Sequence, residues 1–265
     1  SAQSYTGYWR IGGDSTWSGS QFFNGAIDEV AIYGGALTRT QVQEHYVASG
    51  RTLEGATPPS DGYGAAVYAA EPTLYWRLNE TSGTVAADAS GSSQRGSYFG
   101  AHTKVATGAL DGVDSGSTTF EGGQLISQKS FVNPVVYSTE AWFKTTTNSG
   151  GKIIGFGNGA TGNSSSYDRH VYMTDAGRLV FGTWTGQTNT ITTDGTYNNG
   201  QWHHVVATQG PSGMALYVDG ELVGNNPNTG AENYTGYWHV GGDVSWGPGG
   251  NEFAGSIDEV AVYST

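Results

Sequence analysis

Four aromatic residues, Tyr167, Trp184, Tyr237 and Trp246, stand at strand ends or in Gly- and Ser-rich loops rather than inside apolar runs. A flat ring presented in such a place can stack on the C–H face of a sugar. The polar run Asp168, Arg169, His170 beside Tyr167 carries the groups that fix hydroxyls by hydrogen bonds. Each of these residues alone has an ordinary structural use; together they form the candidate ligand set. Trp76, Trp142 and Trp202 sit mid-strand in apolar runs, where core packing is expected. Oxygen ligands suited to calcium are the other candidate chemistry, with Glu80 and with Asp88 in the loop Ala87-Asp88-Ala89-Ser90-Gly91, and Asp243 as a weaker choice. Turn capping is the plain alternative for Asp88. The six His residues show no zinc spacing, and His203 and His204 point to opposite faces of one strand. No Gly-x-Ser-x-Gly elbow or phosphate loop supports another chemistry.

The frame for these residues is set by composition. With 43 Gly, 16 Tyr, 8 Trp and 9 Phe in 265 residues and 13% charged residues, the chain suits many short strands joined by tight turns. A formal net charge of −12 argues against a nucleic-acid partner, which needs clustered Lys and Arg. No apolar run reaches the roughly 18 residues of a membrane span, so membrane insertion is not expected. The absence of cysteine excludes disulfides and thiolate metal sites but not export. The opening Ser1-Ala2-Gln3-Ser4 is not a signal peptide, and any targeting signal is expected elsewhere in a longer parent.

Two pieces of the chain are nearly the same. Tyr5-Thr6-Gly7-Tyr8-Trp9 returns as Tyr234-Thr235-Gly236-Tyr237-Trp238, and Ile27-Asp28-Glu29-Val30-Ala31 returns as Ile257-Asp258-Glu259-Val260-Ala261. The spacing between the copies is that of a whole β domain plus linker, so the repeating unit is a domain. The expected organisation is a tail of a preceding module at 1–51, a linker at 52–67 rich in Pro and Gly, and one β domain at 68–265 without a C-terminal helix of its own.

One helix is predicted, from Arg39 to about Ala48. Thr38 and Gln41 have capping-box spacing, and Gly50 is placed to end it. Strands are predicted at 8–11, 26–33, 74–78, 117–120, 124–126, 138–144, 152–156, 170–173, 179–184, 202–208, 214–218 and 221–223, and near Trp238 and Ile257. Asp219-Gly220 marks a hairpin turn. In 26–33 both faces are mixed, which suits a strand at a sheet edge or rim. So many short strands mean a sandwich.

Five phrases in order, Tyr75-Trp76-Arg77-Leu78-Asn79-Glu80, Glu140-Ala141-Trp142-Phe143, Gln201-Trp202-His203-His204-Val205, Leu216-Tyr217-Val218-Asp219-Gly220 and 255–263, resemble the bacterial laminin-G-like, concanavalin A-like modules. The resemblance implies an all-β fold, a two-sheet antiparallel jelly-roll sandwich with first and last strands adjacent. It also implies a structural calcium at the rim, which would bring Asp258 together with Glu80 and Asp88. Related glucanases carry Glu-x-Asp-x-Glu on one strand, because hydrolysis needs an acid and a nucleophile. Here the leading Glu is missing from both Ile-Asp-Glu-Val copies, so no enzyme is expected. The expected function is a non-catalytic carbohydrate-binding or adhesion module of a large bacterial protein, secreted or cell-wall associated. The rival is a spacer that binds no glycan. Expected partners are carbohydrate and neighbouring modules of the same parent, and residues 5–33 could compete with 234–263 for one place in the sandwich, giving a strand-swapped oligomer.

Overall fold

The computed structural model describes residues 6–16, 18–51, 58–113 and 115–264. Two antiparallel sheets, of eight and nine strands, pack face to face as a jelly-roll sandwich. Numbered along the chain, the first sheet runs β15 (Glu221–Asn226), β14 (Gly213–Val218), β13 (Trp202–Gly210), β8 (Tyr137–Lys144), β17 (Ala254–Tyr263), β5 (Ser117–Glu121), β4 (His102–Val105). Strand β1 (Leu74–Trp76) pairs with β17 beyond β5. The second runs β12 (Thr188–Thr192), β11 (Leu179–Trp184), β10 (Tyr167–Met173), β9 (Gly151–Gly157), β16 (Thr235–Val240), β6 (Gln124–Ser127), β3 (Gly96–Phe99), β2 (Val85–Ala86). Strand β7 (Phe131–Val132) pairs with β16.

Period-two patterning explains the layers. Along β8 Tyr137, Thr139, Ala141 and Phe143 are buried and the residues between them are not. The two inner faces meet in one core whose largest members include Trp76, Trp238, Phe120, Phe143, Phe156, Phe181 and Phe253. Trp76 is a core residue as expected. Trp142 and Trp202 are only half-buried, because they lie on the alternate face of their strands: outside the sheet Trp142 packs against His204 and meets Tyr63 edge-on, and Trp202 lies near the Lys144 ammonium. The Asp219-Gly220 turn joins β14 to β15, with both residues at positive φ.

The last strand, whose first-copy counterpart 26–33 has an edge-like pattern, is central. β17 lies between β8 on one side and β5 and β1 on the other. Its mixed faces come from a bulge: between Asp258 and Ala261 it uses one residue more than β8, with Glu259 at φ 48. The extra residue resets the alternation, so Ile257, Val260 and Val262 all reach the core.

A second helix lies partly inside the stretch read as linker. Helix α1 (Arg39–Ala48) has the expected capping box and is followed by Gly50 at φ 80. Helix α2 (Gly62–Ala69) is capped by Asp61, whose carboxylate accepts the Gly64 amide at 2.7 Å. Its two glycines and the adjacent Pro58-Pro59 hide it from propensity. Tertiary packing of Val67 against Tyr75 and Ala261 holds it on the outer face of the first sheet. Five short strands, β2, β3, β4, β7 and β12, carry too little apolar alternation to be read in sequence.

Among the described residues, the first copy of the repeat has no sheet around it: 8–11 and 26–33, predicted as strands, pair with nothing, and a single bridge joins Gly13 to Phe22. Trp9 is 80% exposed where its counterpart Trp238 is 1%, and Val30 is 52% exposed where Val260 is 0%. Contact with the sandwich comes from the helix that follows, where the Tyr68 hydroxyl donates to Gln43 at 2.8 Å. Among the described residues no helix is long and apolar enough to cross a membrane.

Candidate functional site

The β10–β11 hairpin sets the geometry. Its register puts His170 opposite Gly182 and Phe181 opposite Val171, so Phe181 and Val171 point into the core and His170 and Gly182 face outward. The loop from β16 to β17 crosses that outer face and lays Trp246 on it. A Cβ at Gly182 would stand 2.5 Å from the Trp246 ring, so the glycine is what lets the indole lie flat against the strand. The His170 ring meets Trp246 edge-on at 4.4 Å between centroids. Burial holds that imidazole far below its ordinary pKa and therefore neutral, a polarisable floor rather than a charge.

Around Trp246 stand Trp184, 6.3 Å away between centroids, and Tyr167, 6.5 Å away. With Ser165, Ser166, Thr188 and Glu232 these three rings line a shallow cleft of about 380 Å³. Trp184 is 37% exposed and the other two rings are half-buried, so each offers part of a face to solvent. Of the four aromatics singled out in sequence, the structure brings three together. Tyr237 is half-buried on β16, two strands from β10, and does not line the cleft.

Asp168, Arg169 and His170 are corrected from ligand contacts to supports, because all three are buried. The Asp168 carboxylate accepts the Trp184 amide at 3.0 Å, the Glu232 amide at 3.0 Å and the Tyr234 hydroxyl at 3.0 Å, tying together three elements that surround the cleft. A bulge in β10 puts Arg169 at φ 49. Its guanidinium donates to Asp168, to Asn133 and to the carbonyls of Pro134 and Glu232, which leaves no donor group aimed at a ligand. The Trp246 loop is pinned in the same way: the buried Asp243 carboxylate accepts the Ser164 amide at 2.7 Å and pairs with buried Lys152 at 3.2 Å. The two buried ion pairs and the polar lining residues Glu232, Ser165, Ser166 and Thr188 were missed in sequence; Gly182, a glycine inside a strand, was the available hint that something lies over it.

The predicted metal ligands do not converge. Among the described residues no group of three His, Cys, Asp or Glu side chains is arranged to hold a metal ion. Asp88 accepts the amides of Tyr75, Ser90 and Gln94, the turn-capping alternative. Glu80 accepts the Ala87 amide and pairs with Lys104 at 3.4 Å. Asp258 accepts the Ala109 amide at 2.8 Å and that of Glu259 at 2.9 Å. Burial pushes its carboxyl up to about 7. Each carboxylate is thus occupied separately by the protein.

The Asp258-Glu259 pair is also apart from the cleft, since β17 belongs to the other sheet. Glu259 is buried, accepts two bonds from the Arg77 guanidinium at 2.9 and 2.8 Å and one from the Tyr75 hydroxyl, and burial raises its pKa against those bonds. Arg77 continues the chain of contacts to Asp61 at 2.6 Å, the cap of α2. These acids lock β17, β1 and α2 together.

Comparison with known proteins agrees with this architecture. Residues 1–43 and 114–265 match the laminin-G family model of the concanavalin A-like lectin/glucanases superfamily. No match is found among curated proteins. Among solved structures, Domain 4 of AbnA, a GH43 extracellular arabinanase from Geobacillus stearothermophilus, in complex with arabinotriose, is similar at TM-score 0.50 and 17% identity, covering 73% of this chain and 92% of that one. Trypanosoma rangeli sialidase in complex with sialic acid is similar at TM-score 0.51 and 16% identity, covering 85% of this chain; the present chain spans only 36% of its length. At these identities the likeness is one of fold. With three quarters of its length matched by the family model, the chain belongs to the laminin-G-like family of the concanavalin A-like lectin/glucanases superfamily.

Proposed function

We propose that this chain is a non-catalytic carbohydrate-binding module that lays neutral sugar rings on Trp184, Trp246 and Tyr167. The observation that carries the reading is the convergence of three partly exposed rings on one cleft over a glycine-cleared strand. Rings of this kind stack on apolar sugar faces, and Glu232, Ser165, Ser166 and Thr188 supply acceptors and donors for hydroxyls. Neutral sugars fit the charge. Among the described residues the one charged lining residue is the acidic Glu232, while the nearby cations Arg169 and Lys152 are buried in ion pairs, so neither is free to take a sugar carboxylate.

Hydrolysis is disfavoured by the same lining. Glycosidic cleavage needs two carboxyl groups flanking the bond, and the cleft has one. Residence in a secreted or surface-attached multi-domain protein fits the family and the repeated domain piece, and the duplication also favours the spacer reading. Arabinotriose is the first neutral probe to titrate, with sialyllactose as the anionic one. Calorimetry is expected to give a dissociation constant in the micromolar to millimolar range for a neutral oligosaccharide. Trp184→Ala and Trp246→Ala are each expected to weaken it by about tenfold or more, some 1.4 kcal/mol. Silence across neutral plant, wall and animal glycans would favour the spacer; tighter binding of sialyllactose than of any neutral sugar would contradict the charge argument.

A further inference from the structure

We propose that the described residues of 6–33 are a donor segment that completes a laminin-G-like sandwich other than the one built by residues 74–263, its acceptor being a neighbouring module open at the place of its last two strands. The residues that the second copy buries are the ones the first copy leaves in solvent. Trp9, Ile11, Phe23, Ile27, Val30 and Ile32 are large exposed apolar groups, while Trp238, Val240, Phe253, Ile257, Val260 and Val262 are core. An exposed apolar stretch of this kind marks an interaction surface.

The first copy also keeps a conformation that is useful only in a sheet. Glu29 has φ 49, as Glu259 has φ 48, and the Glu29 amide donates to Asp28 at 2.9 Å, as the Glu259 amide does to Asp258. A positive φ at a glutamate is unfavourable, and in the second copy it creates the bulge that fits β17 to β8. The bulge is therefore made locally, ahead of any partner.

Charge states what the acceptor must bring. Glu259 is satisfied by Arg77 and Tyr75 from β1, and among the described residues nothing bonds or pairs with the Glu29 carboxylate. The acceptor's first strand then carries an Arg and a Tyr two residues apart, as Tyr75-Trp76-Arg77 does here. The seat on this chain's own sandwich is already taken by β17, which holds it as a tethered and hence strongly favoured occupant. A neighbouring module with an open seat therefore suits the first copy better than a second copy of this chain. The separate match of residues 1–43 to the family model agrees. By sequence Trp17 stands to the first copy as Trp246 stands to the second, so the donated segment would also bring the acceptor a tryptophan for its own cleft.

The test is to seat the first copy. In the full chain, residues 234–263 are replaced by 5–33. The graft is expected to fold with a thermal midpoint within about 10 °C of the parent, and Val30→Asp in the grafted copy is expected to unfold it. If the graft unfolds while the parent folds, the proposal is overturned. Light scattering on the unaltered chain tests the partner. A monomer agrees with the proposal, whereas a dimer abolished by Val30→Asp would make a second copy the occupant and overturn the assignment to a neighbouring module.

Discussion

Residues 26–33 and 256–263 share Ile-Asp-Glu-Val-Ala and the same positive φ at the glutamate, yet one is in solvent and the other is the centre of a sheet. The local sequence is enough to make the bulge. It is not enough to make a strand, because a strand needs neighbours to receive its hydrogen bonds and cover its apolar side chains. What differs between the copies is the surroundings: β8, β5 and β1 on either side, Arg77 and Tyr75 for the glutamate, and the Ala109 amide for the aspartate.

The comparison can be broken by paired substitutions. Trp238→Ala empties a core site and is expected to cost about 3–5 kcal/mol in chemical denaturation, whereas Trp9→Ala is expected to stay within about 0.5 kcal/mol. Equal costs would mean that the first copy is packed in solution. Glu259→Gln takes the charge from a buried ion pair and is expected to cost about 3 kcal/mol, while Glu29→Gln changes nothing measurable.

The strands that form the core were legible because aromatic and β-branched residues alternate along them, as in 138–144 and 202–208. The three cleft aromatics were legible, among four singled out, because exposed rings in Gly-rich loops are unusual. The roles of Asp168 and Arg169 were hidden, since their partners Asn133, Glu232 and Trp184 lie far away in sequence and converge only in the fold. The edge-like pattern read in 26–33 has the same source, because in β17, which carries the same run, one bulged residue shuffles the apolar pattern of a central strand. Asp258 looked like a metal ligand because an aspartate near a rim is a common calcium donor, and only the backbone of 108–109 wrapped around it shows the carboxylate to be in use.

A smaller effect sharpens the contrast through pH. Asp258 has its pKa raised to about 7 from an ordinary 3.8, so the folded state binds the proton more tightly than the unfolded state. Its contribution is therefore most favourable at low pH and is lost as pH rises from about 4 to about 7. Asp258→Asn is expected to flatten that part of the stability profile; identical profiles for the parent and Asp258→Asn would show that the carboxyl is not perturbed. The smallest effect is on stability at the cleft, where Trp246→Ala is expected to weaken glycan binding while lowering the thermal midpoint by only about 2–4 °C.

Hydrogen exchange followed by mass spectrometry reads the two copies in the same molecule under the same conditions. At low protein concentration, peptides from 26–33 are predicted to exchange at rates close to those of an unstructured chain, and peptides from 256–263 to be among the slowest, opening only with the whole sandwich. Matching protection in the two stretches would contradict the account, since it would mean that the first copy already has a seat.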